Sequence, residues 1–527
     1  MKKIVILLLL LYSYALFAQT RYYVRPDGND NNYGISWATS FKTLQKAISA
    51  SVGGSEIWVA WGTYYPDEGP GQTNNDRMSY FSLKNGVSVY GGFAGYEYAL
   101  SQRNIVLRET ILSGDLQQND GAGFTNNSDN SYHVVYSNSD DNATILDGFT
   151  ITGGNASTEL NGNGGGMRCD DSYPTIRNCI FTGNYAWYYG GGMFNKNSRP
   201  TIVNCQFISN YAYQNGGGIY NQGSSNAKII NCVFTRNEGR VDGGGIYNIN
   251  SDPTIINSTI AWNKVGSEGG GIYNTNTAHP VVVNSILWGN TRSEIYNNLF
   301  SSASVSYSII QDGWEGRDNL DMDPLFTAGF HLQGCSPAIN AGDISAVPLN
   351  ITTDVEGASR IMLGGVDMGA YEVQQAGIGG TIYVNAKAPA GGDGSSWDRA
   401  LNKLQDALAK APLCNLPTQV WVAGGTYYPD EGGGKTDNDR AASFVLKNDV
   451  ALYGDFTGNE KMFSQRTQNI DSTILSGDLL HNDGTNFSNN GDNAYHVVTT
   501  SGVNSTAILD GFIITGGNAN GSGAQYL

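Results

Sequence analysis

Glycine triplets begin at Gly164, Gly190, Gly216, Gly243 and Gly269, at spacings of 26, 26, 27 and 26 residues. Four lead into an apolar residue, an aromatic and an asparagine: Met193-Phe194-Asn195, Ile219-Tyr220-Asn221, Ile246-Tyr247-Asn248 and Ile272-Tyr273-Asn274. Between triplets come a β-branched run, such as Thr175-Ile176-Arg177, and then Phe-x-x-Asn at Phe181, Phe207 and Phe234. Such a period holds three short strands and three turns, with Gly and Asn where the backbone must turn left-handed. A unit this small cannot bury its apolar face alone. Stacked at about 4.8 Å per coil, it makes a parallel β-solenoid whose inward Ile, Val and Phe form one continuous core. A propeller needs a longer period and four strands per blade, and a doubly wound fold needs helices between strands, which this sequence barely offers.

A larger repeat encloses the smaller one. Thr63-Tyr64-Tyr65-Pro66-Asp67-Glu68-Gly69, Leu112-Ser113-Gly114-Asp115 and Ile145-Leu146-Asp147-Gly148-Phe149 each return 363 residues later, at Thr426, Leu475 and Ile508. The constant offset requires one fold for both copies. Each copy opens with Ser-Trp (Ser36-Trp37, Ser396-Trp397) and a short amphipathic helix, its stripe being Phe41, Leu44, Ala47 and Ile48 or Leu401, Leu404, Ala407 and Leu408. The helix is expected to plug the open end of the solenoid. Glu56–Ala60, Val87–Tyr90, Thr110–Leu112 and His133–Tyr136 read as strands of less regular coils.

Residues 1–18 carry Lys2 and Lys3, an apolar run over Ile4–Leu11 and an Ala-Leu-Phe-Ala ending, the pattern of a secretory signal peptide. The run is shorter than the ~20 residues a membrane-spanning helix needs. The mature chain is therefore expected outside the cell or on its surface. Thirty Lys and Arg against 47 Asp and Glu leave a net charge of −17, which disfavours nucleic acid and anionic lipid as partners.

Phe181-Thr182-Gly183-Asn184, Phe207-Ile208-Ser209-Asn210 and Phe234-Thr235-Arg236-Asn237, paired with the Gly-Gly-Gly-Ile element, resemble the repeats of the chlamydial polymorphic outer membrane proteins. Gly28-Asn29-Asp30, Trp58-Val59-Ala60, Tyr90-Gly91-Gly92-Phe93 and Ser101-Gln102-Arg103 look like the pectin-lyase-like, right-handed parallel β-helix proteins of bacterial surfaces. Asp323–Phe326, Ser336–Asp343 and Val366–Glu372 are similar to a choice-of-anchor Q region. The resemblance implies a secreted or outer-membrane-associated protein and gives little guide to chemistry.

The expected architecture is all-β: a right-handed parallel β-helix, duplicated, with the second copy truncated. Its parts are a signal peptide (1–18), a β-helix with its capping helix (19–312), a closing region (313–375), a linker (376–381) and the second copy (382–527). The leading expectation for function is a monomeric, non-enzymatic surface protein that presents a repetitive face for adhesion or glycan contact. The alternatives are a polysaccharide lyase or glycoside hydrolase and a passive stalk.

The column Phe194, Tyr220, Tyr247, Tyr273 follows an inward residue by one, so alternation points it outward. Exposed rings in a ladder could stack on sugars, but the favoured reading is that neighbouring rings simply stabilise the sheet. For catalysis the carboxylate candidates are Asp67 and Glu68 with Asp430 and Glu431, Asp115 with Asp478, and Asp147 with Asp510. Hydrolysis would need two of them across one bond, and a lyase would need a cation site and a base. Each sits beside Gly or Pro, where Asp also closes turns. Arg103 and Arg466 would clamp a sugar carboxylate or tie a loop to the next coil. His133 and His496 lack partners at metal spacing, and the loops with Asp27, Asn29 and Asp30 or with Asp318, Asp321 and Asp323 match no calcium motif, so neither metal nor cofactor is assigned. Cys179, Cys205 and Cys232 share one position in successive coils, continued by Ser258 and Ser285, and are expected as stacked, buried free thiols. Asn178, Asn204, Asn231, Asn257 and Asn284 form a column able to hydrogen-bond along the stack.

Overall fold

The computed structural model describes residues 20–327, 329–333, 336–362, 364–373, 381–411, 418–466 and 473–521. The signal-peptide segment, Cys335, Cys414 and most of the linker lie outside the described residues. Two compact units emerge: Met1–Pro324 with Asn340–Glu372, and Leu325–Ile339 with Val373–Leu527.

The first unit is a right-handed parallel β-helix. One coil runs Met193–Lys196, Thr201–Val203, Gln206–Ile208 and Tyr211–Ala212 before the chain returns at Ile219–Gln222. These segments enter four parallel sheets, named for the order in which the coil meets them: sheet one contains 193–196, sheet two 201–203, sheet three 206–208 and sheet four 211–212. Among the described residues they hold eight, ten, nine and five strands, and neighbours in each are successive coils. Register follows the repeat residue for residue: Met193 pairs with Ile219, Phe194 with Tyr220 and Asn195 with Asn221.

The triplet is glycine at all three positions for two reasons. Gly216 has φ +72°, and a Cβ on it would lie 2.7 Å from the Ile219 carbonyl oxygen. On Gly217 a Cβ would meet the Glu238 backbone at 2.5 Å, and on Gly218 the Gly245 carbonyl at 2.5 Å, so these two let successive coils touch backbone to backbone. The corner between sheets two and three is made by Asn178, Asn204, Asn231, Asn257 and Asn284, all left-handed at φ 49–52°.

The interior holds Phe181, Phe207 and Phe234 stacked at 4.7 and 4.8 Å, each fully buried and contributing roughly 1.5–3 kcal/mol by burial. Beside them, Asn184, Asn210 and Asn237, the asparagines of Phe-x-x-Asn, with Asn263 and Asn290 at the same position of the next two coils, form a buried amide ladder with side-chain bonds of 3.0, 2.9, 2.9 and 2.8 Å. A second ladder joins Asn195, Asn221, Asn248, Asn274 and Asn297 at 2.8–2.9 Å. Cys179, Cys205 and Cys232 are buried free thiols, and burial holds the Cys205 thiol well above its ordinary range.

Helix α1 (Leu44–Ala50) plugs the first coil, with Thr43 as N-cap and Leu44, Ala47 and Ile48 packed among Val24, Ile57 and Phe81. Asp30 fixes its entrance, accepting from the Lys42 and Thr43 amides and the Thr43 hydroxyl at 2.7–3.0 Å. The second unit repeats this start, with α2 (Leu404–Lys410) over Val384, Val420 and Phe444. Even the bulge between Trp58 and Ala60 recurs between Trp421 and Ala423.

Residues 340–372 return along the corner between sheets two and three of the first unit. Asn284 donates to the Asp343 carbonyl (2.9 Å) and accepts its amide (2.7 Å), Asn231 donates to the Thr353 carbonyl (2.7 Å), and Ala370 donates to the Thr259 hydroxyl (3.0 Å). A fully buried Arg360–Glu372 pair at 2.8 Å holds the segment together.

Candidate functional site

Most of the acidic candidates are occupied by local structure. Asp67 accepts the Asn75 amide at 2.7 Å, and Asp430 accepts Asn438 at the same distance. Asp115 takes the amides of Asn119 and Asp120, as Asp478 takes those of Asn482 and Asp483, all at 3.0–3.1 Å. These are turn-closing carboxylates. Burial raises the Glu68 carboxyl, while its copy Glu431 pairs with Lys403 at 2.7 Å.

Asp147 is different. Its carboxylate is fully buried, and three side chains from two coils converge on it: Arg103 (2.7 Å), Arg177 (2.6 Å) and Asn178 (2.8 Å). Arg103 also donates to the Gly91 and Asp147 carbonyls at 3.3 and 3.2 Å, so it ties its loop to the coil. In the second unit Arg466 grips Asp510 at 3.0 and 3.1 Å, but that carboxylate stays 54% exposed because no described coil covers it. From Asp147 an outer amide ladder runs up the corner, Asn204 donating to Asn178 (3.2 Å) and Asn231 to Asn204 (3.1 Å). The column therefore hydrogen-bonds along the stack in two runs, Asn178 to Asn231 and Asn257 to Asn284 (3.0 Å), with no side-chain bond between Asn231 and Asn257, on the side facing residues 340–372.

Between this corner and that segment lies a groove, made of cavities of ≈ 490 and ≈ 740 Å³ that share Asn178, Asn204 and Thr353. One end carries Arg103, Asp147 and Arg177; the other carries Glu109 and Glu356.

The ring ladder sits where alternation places it, outside sheet one and separate from the core, but it is not exposed. Phe194, Tyr220, Tyr247 and Tyr273 retain only 2–7% of their surface. Their rings stack at 5.6, 4.8 and 4.9 Å, with Tyr189 against Tyr220 at 4.4 Å and Tyr296 against Tyr273 at 5.3 Å. The faces are spent on one another, which corrects the expectation of open rings. Burial raises the Tyr220 and Tyr247 hydroxyls well above the ordinary range.

The open aromatic surface is elsewhere, along sheet four. Tyr185 stacks on Tyr211 at 5.5 Å and Trp187 on Tyr213 at 4.6 Å, Phe124 sets its edge to the first pair, and the Arg240 guanidinium covers Tyr213 at 4.4 Å. Trp187 is 40% exposed. The four stacked rings were missed in the sequence, although each pair is 26 residues apart, the repeat length itself.

His133 is buried two residues ahead of the strand Val135–Asn138 rather than inside it, and is bonded to the Gly164 carbonyl at 2.9 Å, its pKa pushed down to about 4 by burial; His496 is exposed. Among the described residues no cluster of His, Cys, Asp and Glu is fit to hold a metal.

No family model and no curated protein matches the chain. Among solved structures it is similar to the pectate lyase Pel9A (16% identity, covering 67% of this chain and 97% of that one, TM-score 0.43) and to a rhamnogalacturonan lyase (17% identity, 56% and 89%, TM-score 0.33). At such scores the parallel, in-register pairing described above carries the fold assignment, and the activities of those proteins stay with them.

Proposed function

We propose that this is a secreted or surface-associated β-helix protein of the polymorphic-repeat, choice-of-anchor type, which binds glycans without turning them over. The observation that carries the reading is the sheet-four strip: half-buried Tyr185, Tyr211 and Tyr213 and exposed Trp187, held rigid by stacking across coils. Flat rings fixed along a stiff rod suit the apolar faces of pyranose rings and lose little conformational entropy on binding. The side-chain oxygens of Asp67, Asp115 and Asp147 already serve backbone amides, arginines or Asn178, which speaks against the hydrolase and lyase readings. The Phe194 to Tyr273 ladder then acts as a stiffener behind the neighbouring face rather than as the contact.

The test is a glycan array probed with the purified full-length chain, with release of unsaturated or reducing sugar followed on every hit. Binding without release, lost in Trp187→Ala but kept in Tyr247→Phe, is the expected result. Release of sugar from any hit would overturn the reading, and so would binding untouched by Trp187→Ala and Tyr213→Ala together.

A further inference from the structure

We infer that the groove between the Asn178–Asn204 corner and residues 350–357 is a second saccharide site, selective for a glycan that carries an isolated acidic group among neutral sugars. This deepens the glycan reading but uses a surface distinct from the aromatic strip.

The Arg177 guanidinium is held by its Nε atom on Asp147 at 2.6 Å, while its side chain remains 37% exposed. Its two Nη atoms have no partner among the described residues and form one edge of the fork, the geometry that takes a carboxylate or sulfate oxygen pair. Arg103, Arg177 and the buried Asp147 sum to one positive charge in a chain of net −17. That charge is local and fixed, because both carboxylate oxygens already have arginine partners. Around it the walls carry the hydroxyls and amides of Thr175, Thr201, Asn204, Asn350 and Thr352 beside the apolar Val203 and Ile351, a mixed lining suited to the hydroxyls and apolar faces of sugars.

Both walls are anchored. Asn231 and Asn284 bond the 340–372 segment to the corner, so the groove does not depend on a closing loop. Its other end sets the selectivity. Glu109 is exposed there, its Oε1 atom accepting from the Thr150 hydroxyl at 2.9 Å, with Glu356 in the same cavity. A chain of acidic sugars would set its next charges against these carboxylates. A neutral chain with one acidic residue would place that acid on Arg177 and only hydroxyls beside Glu109 and Glu356.

Calorimetric titration of the full-length chain with three probes tests this: a neutral oligosaccharide bearing one glucuronate, the same compound with its carboxyl reduced to an alcohol, and an oligogalacturonate of equal length. A singly sulfated counterpart distinguishes sulfate from carboxylate as the preferred anion. The expected result is binding of the first, weakened about tenfold or more by carboxyl reduction, as loss of a charge-assisted bond requires. Arg177→Lys, which keeps a cation beside Asp147 but removes the fork, should give a similar loss with an unchanged melting temperature. Glu109→Gln should improve the oligogalacturonate and leave the singly charged probe unchanged. Equal binding of the reduced probe, tighter binding of the oligogalacturonate by the unaltered chain, or no binding of either singly charged probe would each overturn the inference. Trp187→Ala separates the two sites: loss of neutral-glycan binding with the acid preference intact leaves this site standing, and the converse leaves only the strip.

Discussion

Replacing Asn237 by alanine probes what holds the coils in register. The side chain is fully buried and bonded four ways: Oδ1 accepts the Asn210 amide (3.1 Å) and Nδ2 (2.9 Å), and Nδ2 donates to the Phe207 carbonyl (2.8 Å) and Asn263 Oδ1 (2.9 Å). Two of the losses are mild, because Asn210 Nδ2 keeps the Phe181 carbonyl at 2.8 Å and Asn263 Oδ1 keeps the Asn237 amide at 3.0 Å. The Asn210 amide loses its partner inside a dry core, at roughly 1–3 kcal/mol, and the Phe207 carbonyl, which stays in the parallel ladder with the next coil, loses one bond at about 1 kcal/mol. With about 1 kcal/mol for the missing carboxamide volume, Asn237→Ala should cost about 4 kcal/mol. Asn204, half-buried in the outer ladder, makes two side-chain bonds beside the groove, so Asn204→Ala should cost about 2 kcal/mol, part of it from placing alanine at φ 52°. Urea denaturation followed by circular dichroism measures both. Asn237→Asp discriminates further: its new oxygen faces two acceptors, so the variant should be least stable at neutral pH and recover on acidification. A loss below 1 kcal/mol for Asn237→Ala, or equality with Asn204→Ala, would refute the claim that the inner ladder fixes the stack.

Gly217→Ala should abolish folding or cost more than about 3 kcal/mol, since its Cβ would sit 2.5 Å from the Glu238 backbone; Gly54→Ala, with open space but φ +85°, should lose only about 1 kcal/mol, and paired melting curves decide. Glu294 caps the inner ladder through the Asn290 amide and side chain, and burial pushes its pKa up to about 7. The folded state thus keeps a proton that the unfolded chain releases above its ordinary 4.5, so about 3 kcal/mol of stability present at low pH is lost as pH rises through 7. His133, pushed down to about 4, acts oppositely as pH falls below 6.5, so Glu294→Gln should be compared with the parent across pH 5–8, and an unchanged slope would disprove the assignment. Asp147→Ala strands two arginines in the first unit and should cost about 3–5 kcal/mol, whereas Asp510→Ala, acting on a carboxylate 54% exposed, should cost under about 1 kcal/mol, both read from urea midpoints.

The contrast between what the sequence displayed and what it concealed follows from the length scale of each signal. Gly216-Gly217-Gly218 and Ile219-Tyr220-Asn221 encode position within a coil and, by recurring, the pairing of coils; once parallel stacking is inferred, Phe194 must lie on Tyr220 and Cys179 on Cys205. The plugging helices were equally legible, since Leu44, Ala47 and Ile48 mark one face over a single turn. Alternation also gave the correct side of sheet one for the tyrosine ladder. It could not give exposure, which depends on ring-to-ring spacing: at 4.8 Å per coil a column of identical rings closes on itself, so a ladder regular enough to be noticed is one whose faces are already occupied. The more open ring, Trp187, and its half-buried partner Tyr213 are less uniform and lie just past the two-residue strands Tyr185–Ala186 and Tyr211–Ala212, which offer no alternation to read. The groove was further out of reach. Asp147, Arg177 and Asn178 meet only because 30 residues make one coil there, and its far wall comes from residues 350–357, which carry no repeat and find their place through single bonds such as Asn231 to Thr353. In a repetitive chain, then, the periodic residues specify the rod, and chemical individuality collects where the period fails: at Asp147, which precedes the first triplet, at Glu294, which ends the inner ladder, and along the segment that returns to cover the corner.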